Sequence, residues 1–149
     1  MSYEDTASIA RTLYEAFNDR DFDRGAALVG DNAVWINVPT GETFTGPDGF
    51  RRDLEQWDRA FPDAKLTDIK VRGGDGFAVI EFTGRGTNTG PLASPAGELP
   101  ATNRSVEVKF CDVLEISAGK ITGGRSYWDM ATMMTQLGLM PEVPAGATA

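Results

Sequence analysis

The spacing of apolar positions changes along the chain, and each change marks an element. Near the start, Ile9, Leu13, Ala16 and Phe17 recur at helical spacing behind Ser2-Tyr3-Glu4-Asp5, which has the form of a capping box. Asn18-Asp19-Arg20-Asp21 ends that helix, and a short second helix is expected over about 22–29, closed by Gly30-Asp31-Asn32. Residues 33–38 are rich in β-branched and aromatic side chains and read as a strand. Pro39-Thr40-Gly41-Glu42 reads as a turn. Gly46-Pro47-Asp48-Gly49 opens a third helix, in which Phe50, Leu54, Trp57 and Phe61 form a broad apolar stripe that Pro62-Asp63 brings to a stop.

From Lys65 the period falls to two. Strands are expected over about 65–72, 76–88, 104–116 and 120–128, with Gly73-Gly74-Asp75-Gly76 and Ala118-Gly119 as tight turns. A last helix runs from about Met130 to Leu137-Gly138, and the Pro/Ala/Gly-rich stretch 141–149 is expected to be a flexible tail. Three helices with one early strand, then a four-stranded meander, then a short helix contain no βαβ alternation. That order predicts a single α+β domain over residues 1–140 with an antiparallel sheet. The segment from Gly90 to Asn103 carries Pro91, Pro95 and Pro100 and is expected to be either a mobile lid or a plain hairpin tip.

Splitting the strand 104–116 by parity puts Val106, Val108, Phe110, Asp112, Leu114 and Ile116 on one face. Ser105, Glu107, Lys109, Cys111, Val113 and Glu115 lie on the other. The first face is the buried one, and Asp112 is its only acid. A carboxylate facing hydrocarbon has its charged form disfavoured, which moves its pKa toward the range useful for acid–base work. The alternative is a carboxylate tied to a backbone N–H or an arginine. In the strand 76–88, Ala78, Ile80 and Phe82 share a face with Gly84, Gly86 and Asn88, so large side chains give way to space that Asn88 would face. Asn88 in a turn is the competing reading.

Trp35 and Asn37 share a face of the first strand and could form one wall of a pocket and orient a substrate or water; Trp35 as ordinary core or subunit interface is the reading that comes first. Trp57, Phe61 and Tyr14 read first as core residues and second as pocket walls. Asp129 is read first as the cap of the last helix and second as another catalytic carboxylate. Ser126 and Trp128 face inward if Arg125 and Tyr127 face outward.

Composition narrows the chemistry. The 149 residues hold no histidine and one cysteine, Cys111, so imidazole triads, Cys-His pairs, internal disulfides and multi-cysteine metal sites are excluded. Proton transfer near neutral pH falls to carboxylates, tyrosine or lysine. A net charge of −8 disfavours nucleic acid and anionic membrane as partners. No apolar run has the length of a membrane span, and the acidic N-terminus lacks the form of a signal peptide, so a cytoplasmic location is expected.

Ala16-Phe17-Asn18, Thr45-Gly46-Pro47, Gly119-Lys120-Ile121 and Gln136-Leu137-Gly138, in that order and spacing, resemble the SnoaL-like polyketide cyclases of the nuclear-transport-factor-2-like superfamily. The resemblance covers about residues 6–140. It implies a cone-shaped, curved sheet with a mixed first strand, wrapped by three N-terminal helices around a deep cavity. It also implies frequent homodimers, which Cys111, Val113 and the outer sheet face would suit, and no cofactor or metal. In the cyclases an aspartate performs an intramolecular aldol closure with a histidine nearby. Those places fall on Ser126 and Asp112 here, so the pattern is not kept.

The leading expectation is a cofactor-independent enzyme acting on a hydrophobic carbonyl compound such as a polyketide. Asp112 would move the proton, Asn88, Asn37 and Ser126 would hydrogen-bond the substrate, and Trp35, Phe110 and Trp128 would supply apolar walls. An epoxide-hydrolase-type reaction and a binding protein without turnover are the alternatives.

Overall fold

The computed structural model describes residues 3–140. The capping serine Ser2 and the tail 141–149 lie outside the described residues. Two helices open the fold, α1 (Tyr3–Asn18) and α2 (Phe22–Ala26), followed by the strands β1 (Val29–Asn37) and β2 (Glu42–Thr45) and the helix α3 (Gly46–Ala60). Strands β3 (Lys65–Gly74), β4 (Phe77–Thr87), β5 (Leu92–Ser94), β6 (Gly97–Leu99), β7 (Ser105–Ser117) and β8 (Lys120–Trp128) precede α4 (Met130–Gln136).

Six strands form one curved mixed sheet in the order β2-β1-β8-β7-β4-β3, and β5-β6 forms a separate hairpin. All neighbours in the large sheet are antiparallel except β1 and β8, which run parallel. The α+β class, the mixed first strand, the three helices before the meander and the short last helix all match the sequence-based expectation.

Three local expectations differ. β1 starts at Val29 rather than Ala33, because Val29 pairs with Ile121 and the Ile121 N–H donates to the Leu28 carbonyl at 2.8 Å. That long-range pairing takes residues from the end of the expected second helix. The turn at 39–42 is followed by β2, whose Phe44 is buried opposite Trp35. Four residues are too few to show an alternation. Residues 90–103, expected to be a loop, contain the β5–β6 hairpin.

Burial along β7 follows parity. Val106, Val108, Asp112, Leu114 and Ile116 are buried, while Ser105, Glu107, Lys109, Glu115 and Ser117 are exposed. The main apolar core lies between the sheet and helices α1 and α3. A second cluster joins the end of α3 to β5, the start of β7 and α4, through Phe61, Leu92, Val108, Met133 and Leu137. Between the two clusters the packing is incomplete.

Candidate functional site

The gap is a cavity of about 90 Å3. Its walls are overwhelmingly apolar, with Leu13, Phe17, Trp35, Phe50, Phe82 and Phe110 among them, and its polar side chains include Tyr14, Asp53, Asp112 and Ser126. That volume is well short of the several hundred Å3 usual for a drug-sized ligand.

Asp112 sits where strand parity placed it, 4 % exposed in the middle of β7. Its Oδ2 accepts a hydrogen bond of 2.7 Å from the Tyr14 hydroxyl on α1. Its Oδ1 is buried and finds no partner within the protein. Burial drives the Asp112 pKa up to about 7, against the pull of two hydroxyls, Ser126 across the β7–β8 ladder and Tyr14. Tyr14 moves well above its ordinary 10, by burial first and by the neighbouring Asp112 charge second. The phenol therefore stays protonated and works as a donor, holding one carboxylate oxygen and leaving the other free. Among the described residues no arginine or backbone N–H pairs with this acid; its partners are hydroxyls.

A second acid enters from α3, one that the strand pattern could not reveal. Asp53 is 4 % exposed and lines the same cavity. Burial lifts its pKa to about 7; the Asn37 amide opposes this, and the Asp112 charge adds to it. Asn37 Nδ2 donates to Asp53 Oδ1 at 2.9 Å, while Asn37 Oδ1 is left without a protein partner. The expected role of Asn37 changes accordingly. One of its two amide N–H groups is used on Asp53, its Oδ1 remains as an acceptor, and the side chain lines the neighbouring space rather than the inner cavity.

Trp35 crosses the cavity wall with its six-membered ring over Gly124. A Cβ there would stand 2.5 Å from the indole, so only glycine fits. The buried indole N–H of Trp35 makes no hydrogen bond of normal geometry, but it lies near enough to Asp53 to help lower that acid's pKa. Phe110 stacks on Phe82 at 4.9 Å, and Trp57 stands edge-on to Phe110 at 5.9 Å and to Trp128 at 5.4 Å. Phe61 packs beside Trp57. These aromatics line the cavity as well as filling core, with the exception of Trp128, which faces a neighbouring space. The glycines of β4 were expected to leave room for a guest. Gly84 and Gly86 do line the cavity, and at Gly84 the Phe110 ring, which would lie 2.9 Å from a Cβ, takes part of that room.

Two expected site residues lie elsewhere. Asn88 is 1 % exposed but does not line the cavity. β4 ends one residue before it, and its side chain turns to bind loop backbone. It donates to the Ala60 and Gly90 carbonyls at 3.2 and 2.8 Å and accepts from the Thr102 N–H and hydroxyl at 2.9 and 3.0 Å. Asp129 is exposed and caps α4, accepting from the Thr132 N–H at 3.0 Å, with its pKa lowered by the Thr132 hydroxyl and N–H. A catalytic role for Asp129 is thus replaced by its capping one. Among the described residues no three His, Cys, Asp or Glu side chains gather in a metal-holding cluster, and no helix is long and apolar enough to cross a membrane.

The family model described as SnoaL-like polyketide cyclase matches residues 7–137. Among solved structures, a candidate polyketide cyclase from Pseudomonas putida is 25% identical with a TM-score of 0.75, over 91% of this chain and 98% of that one. A candidate hydroxylase from Streptomyces galilaeus is 17% identical with a TM-score of 0.80, covering 97% and 91% of the two chains. An epoxide hydrolase from Mycobacterium tuberculosis is 20% identical with a TM-score of 0.66, covering 91% and 90%. The last two likenesses speak for the fold alone. No curated protein matches the sequence.

Proposed function

Because the chain belongs to the SnoaL-like polyketide cyclase family, we propose that it is an acid–base enzyme acting on a hydrophobic, carbonyl-bearing small molecule, with Asp112 as the group that moves the proton. One observation carries this reading. Asp112 is buried in an apolar cavity with one oxygen fixed by Tyr14 and the other free of protein partners.

The chemistry follows from that arrangement. A carboxylate with a pKa of about 7 is partly charged at neutral pH and a far stronger base than an ordinary aspartate. Its free Oδ1 takes the proton next to a substrate carbonyl, and the electron pair moves onto the carbonyl oxygen to give an enolate. The Trp35 indole N–H, which makes no hydrogen bond of normal geometry within the protein, is the donor available to that oxygen. In a ring closure, the enolate carbon attacks a second carbonyl of the same molecule, and protonated Asp53 delivers a proton to the new alkoxide. Ser126 stands where the cyclases keep their aspartate, so the acid has moved to the neighbouring strand, and Asp53 supplies a second one from the opposite wall.

The test uses 2-tetralone, an apolar aryl ketone, and follows replacement of its α-protons by deuterium in D2O. The protein is expected to accelerate exchange above buffer, and Asp112→Asn to remove most of the acceleration. Wild-type protein exchanging the ketone no faster than buffer, or Asp112→Asn doing so as fast as wild type, would overturn the assignment.

A further inference from the structure

A second cavity of about 70 Å3 lies beyond Trp57, between α3, the β5–β6 hairpin and α4. It shares Asp53, Trp57 and Met133 with the inner cavity, so those three side chains are the partition between the two spaces. Trp57 is wedged there, edge-on to Phe110 on one side and to Trp128 on the other. The outer walls are Leu92, Ala93 and Pro95 of the hairpin facing Met130 and Met134 of α4. Thioether side chains are flexible and polarisable and suit variable apolar shapes.

Two polar atoms in this space have no answer within the protein. Asn37 Oδ1 is an acceptor on a side chain 5 % exposed, and the Trp128 indole N–H is a donor. Buried polar atoms are almost always hydrogen-bonded, and leaving them unpaired is costly. A hydroxyl, which both donates and accepts, matches the pair. An anion does not, since Asp53 and Glu42 both line the space.

We propose that this space is a second binding compartment, taking an uncharged apolar extension of the ligand that bears a hydroxyl. The ligand would then be elongated and pass Trp57, since the inner cavity alone has no room for such an extension. Which end reacts rests on the reading of Asp112 above; the existence of the compartment does not.

The test is binding of n-alkyl phenyl ketones, from acetophenone to octanophenone, to the intact protein by calorimetry. In wild type the dissociation constant is expected to tighten by about fourfold per methylene until the compartment is filled. Ala93→Phe from the hairpin and Met134→Trp from α4 should each flatten the series to about twofold in all. An unchanged chain-length dependence in both variants overturns the compartment, and so does failure of every ketone to bind wild type. A steep dependence that both variants abolish, in a protein that fails to exchange 2-tetralone, upholds the compartment and overturns the proton-transfer reading instead.

Discussion

Strand β7 passes through two interiors of opposite character. Toward its end, Leu114 and Ile116 meet Ala78, Ile80 and Ile121, all between 0 and 3 % exposed and packed against one another. A few residues earlier, Phe110 and Asp112 face a cavity with a second carboxylate and two polar atoms that make no hydrogen bond of normal geometry in the protein, Asp112 Oδ1 and the Trp35 indole N–H. The pairing with β4 is continuous through both regions, and that with β8 carries one register shift, between Glu115 and Ile116. What sets the two regions apart is which side chains face inward. The closed end is built for cohesion, whereas the open end gives up contacts and the hydration of charge to hold reactive groups.

The sharpest way to break this contrast is at Asp112. Asp112→Asn keeps the shape and removes the base, and should slow ketone exchange by about 10²–10⁴-fold. The same substitution should raise stability at alkaline pH. A buried acid whose pKa is raised from 3.8 to about 7 binds its proton more tightly folded than unfolded, so stability falls as pH rises between those values and is level above them. The interval corresponds to at most about 4 kcal/mol. Urea titrations should therefore show Asp112→Asn more stable than wild type at pH 8 and close to it near pH 4. A gain that is equal at both pH values would contradict a raised pKa.

At the closed end, Leu114→Ala should cost about 3 kcal/mol at every pH, through lost contacts and the void left behind. Activity per folded molecule should be much less affected than by Asp112→Asn. The smallest effect is expected at the rim: Asp129→Ala removes a cap and should lower the urea midpoint slightly without altering ketone exchange. A large loss of exchange there would return Asp129 to the list of reacting groups.

Asp112 was legible in the sequence because β7 alternates strictly and an acid on its inner face stands out. Asp53 sits three residues after Phe50 and four before Trp57, so the helical period also puts it beside the apolar stripe. Its signal is diluted by Asp48, Glu55 and Asp58 on the same helix, which make one more acid unremarkable. Asn88 was misjudged because parity carries no information once a strand has ended, and β4 ends at Thr87. β2 and the β5–β6 hairpin were hidden by brevity, with turn residues inside or beside them. The parallel pairing of β1 with β8 depends on contacts about ninety residues apart, which local periodicity does not encode.

Asn88 also has a consequence for how this protein could change over time. It receives the N–H of Asn103, donates its own N–H to Arg104, and ties Gly90, Thr102 and the end of α3 together through its side chain. The anchors hold both ends of the hairpin whatever lies between them, so substitutions at its exposed positions are expected to leave the sheet in place, whereas Leu92, packed with Val106 and Val108, is tied to the core.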